Sequence, residues 1–182
     1  MSLIKVKGSS IDGALAAVDG SALTGISSTS FGFWSTTGFK ATRHSGNHTF
    51  NDATVTTLAL SNEDYDNGNN YNTSTYKYVV PSTGQYFFIF NVAMEAGVDN
   101  EGKEWNAGIY VGSASDPKLR TNFNSKNSRF RKMNLCNSGT LPLNQNDELI
   151  MKVYCDRSDN NQPFWQGGQN PIMTYWEGWR IN

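Results

Sequence analysis

Tyr86-Phe87-Phe88-Ile89-Phe90-Asn91-Val92-Ala93-Met94 decides the fold. Alternate residues of an extended chain share a face. Tyr86, Phe88, Phe90, Val92 and Met94 therefore fall on one side, and Phe87, Ile89, Asn91 and Ala93 on the other. Both sides are largely apolar, which predicts a central strand covered by an opposing sheet on one face and by something further on the other. A neighbouring subunit is the obvious second cover. Immediately upstream, Pro81 pre-sets a turn and Gly84 supplies permissive dihedrals before the strand begins.

Outward from this run, short stretches rich in aromatic and β-branched residues alternate with Gly, Asn, Pro and Asp clusters. They predict strands over residues 31–37, 55–60, 76–80, 85–94, 105–111, 128–136, 139–143, 148–155 and 174–181. Helical periodicity is nowhere sustained. Charged residues are only 17% of the chain, and Asn, Ser, Thr and Gly fill the polar quota instead, a balance that disfavours helix interiors. The expectation is an all-β, antiparallel sandwich. With 182 residues, 37% hydrophobic and 13% aromatic, the chain fits one domain with one ordinary core. The net charge of −1 offers no basic excess to track nucleic acid or an anionic membrane. No apolar run approaches the roughly 20 residues of a membrane-spanning helix.

The first aromatic is Phe31, so residues 1–30 lack the side chains that fill the rest of the protein. Within them, Ile11-Asp12-Gly13-Ala14-Leu15 is echoed by Val18-Asp19-Gly20-Ser21-Ala22-Leu23, each unit carrying the turn-forming Asp-Gly pair. Such a segment cannot build its own core. Leu3, Ile4, Val6, Ile11, Leu15, Val18, Leu23 and Ile26 suit an extended arm that becomes ordered against another protein. The chain thus divides into an arm, 1–30, and a knob, 31–182. No run has signal-peptide character, which points to synthesis in a cytoplasm.

Three stretches of the knob resemble the complement C1q-like family. Residues 70–88 carry an Asn-Tyr-Asn turn, a strand ending in Val80-Pro81, a Pro81-x-x-Gly84 turn and Tyr86-x-Phe88. Ser138-Gly139-Thr140-Leu141-Pro142-Leu143 followed by Asn146-Asp147-Glu148-Leu149 is similar to a second family element. Tyr175-Trp176-Glu177-Gly178-Trp179 is similar to its closing strand, where Gly178 makes room for a large neighbour. The resemblance implies a jelly-roll sandwich related to the tumour-necrosis-factor fold, normally a homotrimer with aromatic residues along the threefold axis. Tyr86, Phe88, Phe90, Tyr175, Trp176 and Trp179 are its candidates for trimer interface or core. The collagen-like stalk of many complement relatives is absent. A leader containing Val18-Asp19-Gly20-Ser21-Ala22-Leu23-Thr24-Gly25 joined to such a domain looks instead like structural proteins of tailed bacteriophages.

That resemblance implies a non-enzymatic virion protein displayed on the capsid exterior. Its arm would hold the major capsid protein while its knob decorates the surface. The alternative is the tip of a tail fibre that binds host-surface glycan or protein. A loop with aromatics among Gly, Gln and Asn, centred on Phe164, Trp165 and Gln166, is the candidate ligand loop for that alternative. Elsewhere Trp105 and the other large aromatics are expected in core or interface. Cys136 and Cys155 match no zinc pattern and read as buried small hydrophobes. His44 and His48 lie in a Gly-containing loop, without the common face a metal pair needs. Asp64, Asp66, Asn67, Asn69 and Asn70 fail the EF-hand pattern and read as a turn-forming cluster. No metal, cofactor or catalytic residue is assigned. A carboxylate pair drawn from Glu101, Glu104, Asp147, Glu148, Asp156, Asp159 and Glu177 would be needed for a glycan-cleaving enzyme, and their spacing gives it no support.

Overall fold

A computed structural model describes residues 37–97, 101–125, 128–167 and 172–181. The predicted arm, residues 1–30, lies outside them, as does all of the predicted 31–37 strand except Thr37, which sits in a turn. The described residues form thirteen strands and no helix. They are β1 (Phe39–Thr42), β2 (His48–Thr49), β3 (Thr56–Thr57), β4 (Asn62–Asp66), β5 (Tyr71–Asn72), β6 (Lys77–Val79), β7 (Gly84–Glu95), β8 (Gly102–Val111), β9 (Leu119–Asn124), β10 (Lys132–Leu143), β11 (Glu148–Arg157), β12 (Phe164–Trp165) and β13 (Tyr175–Arg180). All pairings are antiparallel. One sheet runs β2-β12-β7-β13-β1-β4 with β10 on the other edge of β7; the second runs β5-β6-β11-β8-β9, with β3 also on β11.

The decisive run is β7, paired along both edges. Its inward residues Tyr86, Phe88, Phe90, Val92 and Met94 are buried against the second sheet. Trp105 and Ile109 from β8 and Leu149, Met151 and Val153 from β11 meet them in the core. At one end of the core Phe39 stacks on Tyr78 at 4.3 Å and on Tyr71 at 5.4 Å. The buried phenols keep hydrogen-bond partners: Tyr71 donates to the Leu60 carbonyl at 2.9 Å and Tyr86 to the Ser82 carbonyl at 2.7 Å. Satisfying those hydroxyls is what allows tyrosine into an otherwise apolar interior.

Several local expectations are corrected. The predicted strands 128–136 and 139–143 are one strand, β10, in unbroken register with β7 from Lys132↔Glu95 to Leu143↔Gly84. Asn137-Ser138-Gly139 reads locally as a break, but a full-length partner overrides that propensity. Strands β1, β2, β4, β5 and β9 have no counterpart in the sequence reading. Asn62–Asp66 is an acidic edge strand, and charge on an edge deters further pairing. Leu119–Asn124 is polar on every second position because one of its faces meets solvent. Cys155 is buried as expected, whereas Cys136 is exposed, because it faces outward from β10 opposite Asn91.

Glu95, at the end of β7, is a nearly buried carboxylate with three partners. Arg131 Nε lies at 2.8 Å, Lys132 Nζ at 3.1 Å, and Gln166 Nε2 donates at 2.6 Å. Burial alone would raise its pKa, but the Arg131 and Lys132 contacts outweigh that and hold it below the ordinary carboxylate value. A lowered folded pKa adds stability that is present above the unfolded value and lost as pH falls through the folded one. Glu95→Gln is therefore expected to cost about 1–2 kcal/mol at neutral pH, since both cations are half exposed. The difference from wild type should shrink as urea denaturation is repeated at progressively lower pH through the carboxylate range.

Candidate functional site

The face of the β7 sheet turned away from the core is the first candidate site. Register places Trp179 beside Phe87, Glu177 beside Ile89 and Tyr175 beside Asn91. All of these side chains are only half-buried in the single chain. Phe87 and Trp179 pack ring to ring with centroids 5.0 Å apart. Lys40 of β1 extends over the Tyr175 ring at 5.2 Å. Glu177 lies between the two outer-face aromatics of β13, Tyr175 and Trp179, and burial raises its carboxyl above the ordinary value. From β10, Thr140, Ser138 and Cys136 continue the face opposite Phe87, Ile89 and Asn91. The result is an apolar strip with a polar margin on a sheet whose other side is already filled.

The six interface-or-core candidates separate by strand parity. Tyr86, Phe88, Phe90 and Trp176 are fully buried inside one chain, whereas Tyr175 and Trp179 lie on the outer face. Trp176 and Trp179 are three positions apart on an extended strand and so must point to opposite sides.

The candidate ligand loop is corrected for its central residue. Trp165 is completely buried, stacked on His48 at 4.4 Å and packed against Phe50 at 5.3 Å, so its ring is closed to a sugar. Gln166 is held through its side chain by Glu95 and through its N–H by the Ala93 carbonyl at 2.8 Å. Phe164 is half-buried in β12. Pairing of β12 with both β7 and β2 turned an expected loop into sheet.

The other titratable residues are engaged separately. Burial, with Arg43 nearby, lowers the His48 pKa, while His44 meets Asp64 at 2.7 Å. Asp66 caps its own turn, accepting the Gly68 and Tyr71 N–H groups at 3.2 and 2.7 Å. Among the described residues no three His, Cys, Asp or Glu side chains are placed to hold a metal ion. Glu101 pairs with Arg129, Glu148 with Lys77, Asp156 with Lys103 and Asp159 with Arg157. Asp147 accepts the Asn144 N–H within the β10–β11 turn. These carboxylates are committed to separate partners.

No protein-family model matches the sequence, and no curated protein matches it. Solved structures do match. The globular domain of zebrafish complement 1qA protein superposes with a TM-score of 0.53 at 13% identity, covering 80% of this chain and 98% of that one. Eiger TNF from S. frugiperda superposes with a TM-score of 0.54 at 8% identity, covering 80% and 92%. The fold is a C1q/TNF-like jelly roll. At these identities the likeness is one of architecture. The stretches that carried the resemblance in sequence are structural joints of the C1q/TNF-like sandwich. Pro81 to Gly84 leads into β7, Asn144 to Asp147 turns β10 into β11, and Tyr175 to Trp179 is β13.

Proposed function

We propose that this chain is a non-enzymatic structural protein of a virion. Three copies would join through the outer face of the β7 sheet, and residues 1–30 would tie the knob to the major capsid protein on the capsid exterior. The observation that carries the reading is the strip formed by Phe87, Ile89, Tyr175 and Trp179, apolar side chains left half-covered on the central strands of a sandwich whose core is complete without them. Closed symmetry offers that strip a cover made of the same strip on neighbouring copies. The trimeric habit of C1q-like domains and the phage-like leader support the same reading. Three arms per knob would multiply a weak capsid contact through effective concentration. The fibre-tip alternative loses its best feature, because Trp165 is inside the core.

Light scattering on the full chain is expected to give a mass near three chains of 20.2 kDa. Ile89→Asp, on the outer face, should reduce it to one chain while the β-sheet circular dichroism is retained. A wild-type mass of one chain would remove the trimer. The capsid part is tested separately with the triple change Leu15→Asp, Val18→Asp and Leu23→Asp, which should leave the mass unchanged and abolish loading onto empty capsids of the encoding phage. Undiminished loading would remove the anchor.

A further inference from the structure

On the opposite sheet the solvent face of β8, β9 and β11 carries a cleft of about 270 Å³. We propose that it binds an acidic saccharide, a sugar ring bearing one carboxylate such as a hexuronic acid.

The floor is Gly108. Register puts Arg120 of β9 on one side of it and Lys152 of β11 on the other, all three on the same face. At the usual strand spacing the two cationic residues stand with Cα atoms about 10 Å apart. The β8–β9 connection folds back over this face: a Cβ on Gly108 would lie 2.9 Å from Pro117 Cβ. Pro117 thereby forms a lip, and Gly108 is the residue type that admits it. Neither Arg120 nor Lys152 pairs with a carboxylate among the described residues. Lys152 instead sits over the Tyr110 ring at 4.6 Å.

Asn106 supplies the third feature. Its Nδ2 donates to Glu104 Oε1 at 3.1 Å, and Asn124 Nδ2 donates to Glu104 Oε2 at 3.2 Å. A carboxylate accepts only, so the Asn106 amide cannot be flipped and its Oδ1 must turn away from Glu104. That oxygen is buried and accepts no hydrogen bond among the described residues, and Asn106 itself lines the cleft. A small shift of the Asn106 side chain would let it accept from a ligand that donates, as a sugar hydroxyl does. The rings of Tyr110 and Tyr154 offer apolar surface to the C–H face of a ring.

These features select among ligand classes. A β-strand peptide needs a free edge, and β8 is paired on both sides. A polyanion would be repelled by Glu104 and Asp116, which also line the cleft. The volume lies at the small end for ligand pockets and suits one or two sugar rings. The site is on the sheet opposite the proposed trimer face, so it stands or falls independently of that reading.

Calorimetry on the full chain with sodium glucuronate, with glucose as the uncharged ring and with sodium acetate as the charge alone, tests the proposal. Glucuronate should bind about tenfold or more tighter than either control. Arg120→Ala and Lys152→Ala should each weaken it about tenfold, with unchanged denaturation midpoints because neither side chain belongs to the core. The proposal is overturned by an absence of glucuronate binding, by equal binding of acetate or glucose, or by binding that survives Arg120→Ala.

Discussion

Trp176→Ala is expected to remove about 3–5 kcal/mol of folding stability, a large part of what holds a domain of this size together. Trp176 lies in the middle strand of three, opposite Ala41 of β1 and Phe90 of β7, and is completely buried. Phe39 at 4.9 Å and Tyr71 at 6.0 Å meet it edge to face, and Phe88 lies tilted against it at 6.1 Å. Truncation would leave a cavity walled by rigid rings from both sheets, and such walls relax poorly into the space. The indole N–H has no acceptor among the described residues, so the ring is present for its area rather than its donor. Trp176→Phe should accordingly cost well under half as much as the alanine change, since it keeps a ring in the site and removes a buried donor that has no partner among the described residues. Trp179→Ala, on the outer face, should cost only about 0.5–1.5 kcal/mol in a monomeric background such as Ile89→Asp, from the lost ring contact with Phe87. Equal costs for the two tryptophans in that background would contradict their opposite placement.

That contrast marks the limit of what was legible in the sequence. Alternation along residues 86–94 was sufficient to place β7 at the centre and to sort its residues between two largely apolar faces, because strand parity follows from backbone geometry alone. Pairing partners do not follow from parity. The closing-strand resemblance groups Trp176 with Trp179, and the odd spacing between them is the signal that separates them. Strands β4 and β9 escaped because Asn62–Asp66 and Leu119–Asn124 carry the polar residues of an edge and of a solvent face, which locally resemble turns. Trp165 escaped for the opposite reason. Its Gly, Gln and Asn neighbours read as a loop, while long-range pairing to Glu95 and Met94 carries it into the core.

The meeting of Arg120 and Lys152 across the cleft had no sequence signature. These residues lie 32 positions apart and meet only through the register of β9, β8 and β11. Gly108 was the one local clue: an isolated glycine inside an apolar strand marks a close approach, here by Pro117 from the loop beyond it. The same inference was available at Gly178, where Trp176 and Trp179 made the need for space visible.

Gly178→Ala tests that inference with the second-largest expected change. A methyl group at this position would lie 2.2 Å from Phe88 Cδ1, 2.6 Å from Cε1 and 2.9 Å from the Phe87 carbonyl oxygen. The ring is fully buried, stacked on Tyr86 at 6.3 Å and near Trp176, and the carbonyl belongs to the central strand, so neither can retreat without disturbing β7. Overpacking costs about 1–3 kcal/mol, and a 2.2 Å approach to a ring that cannot retreat puts this case at the upper end. Alanine's advantage over glycine within a strand returns about 0.5–1 kcal/mol, leaving a net loss near 2 kcal/mol. Phe88→Leu in the same chain separates the causes. If the ring is the obstacle, the double variant should be about 1 kcal/mol more stable than the sum of the single losses predicts, since the smaller side chain vacates the space the methyl needs. Strict additivity would assign the strain to the Phe87 carbonyl and the sheet spacing. A neutral Gly178→Ala would mean that β13 does not approach β7 as closely as the packing of Phe88 requires.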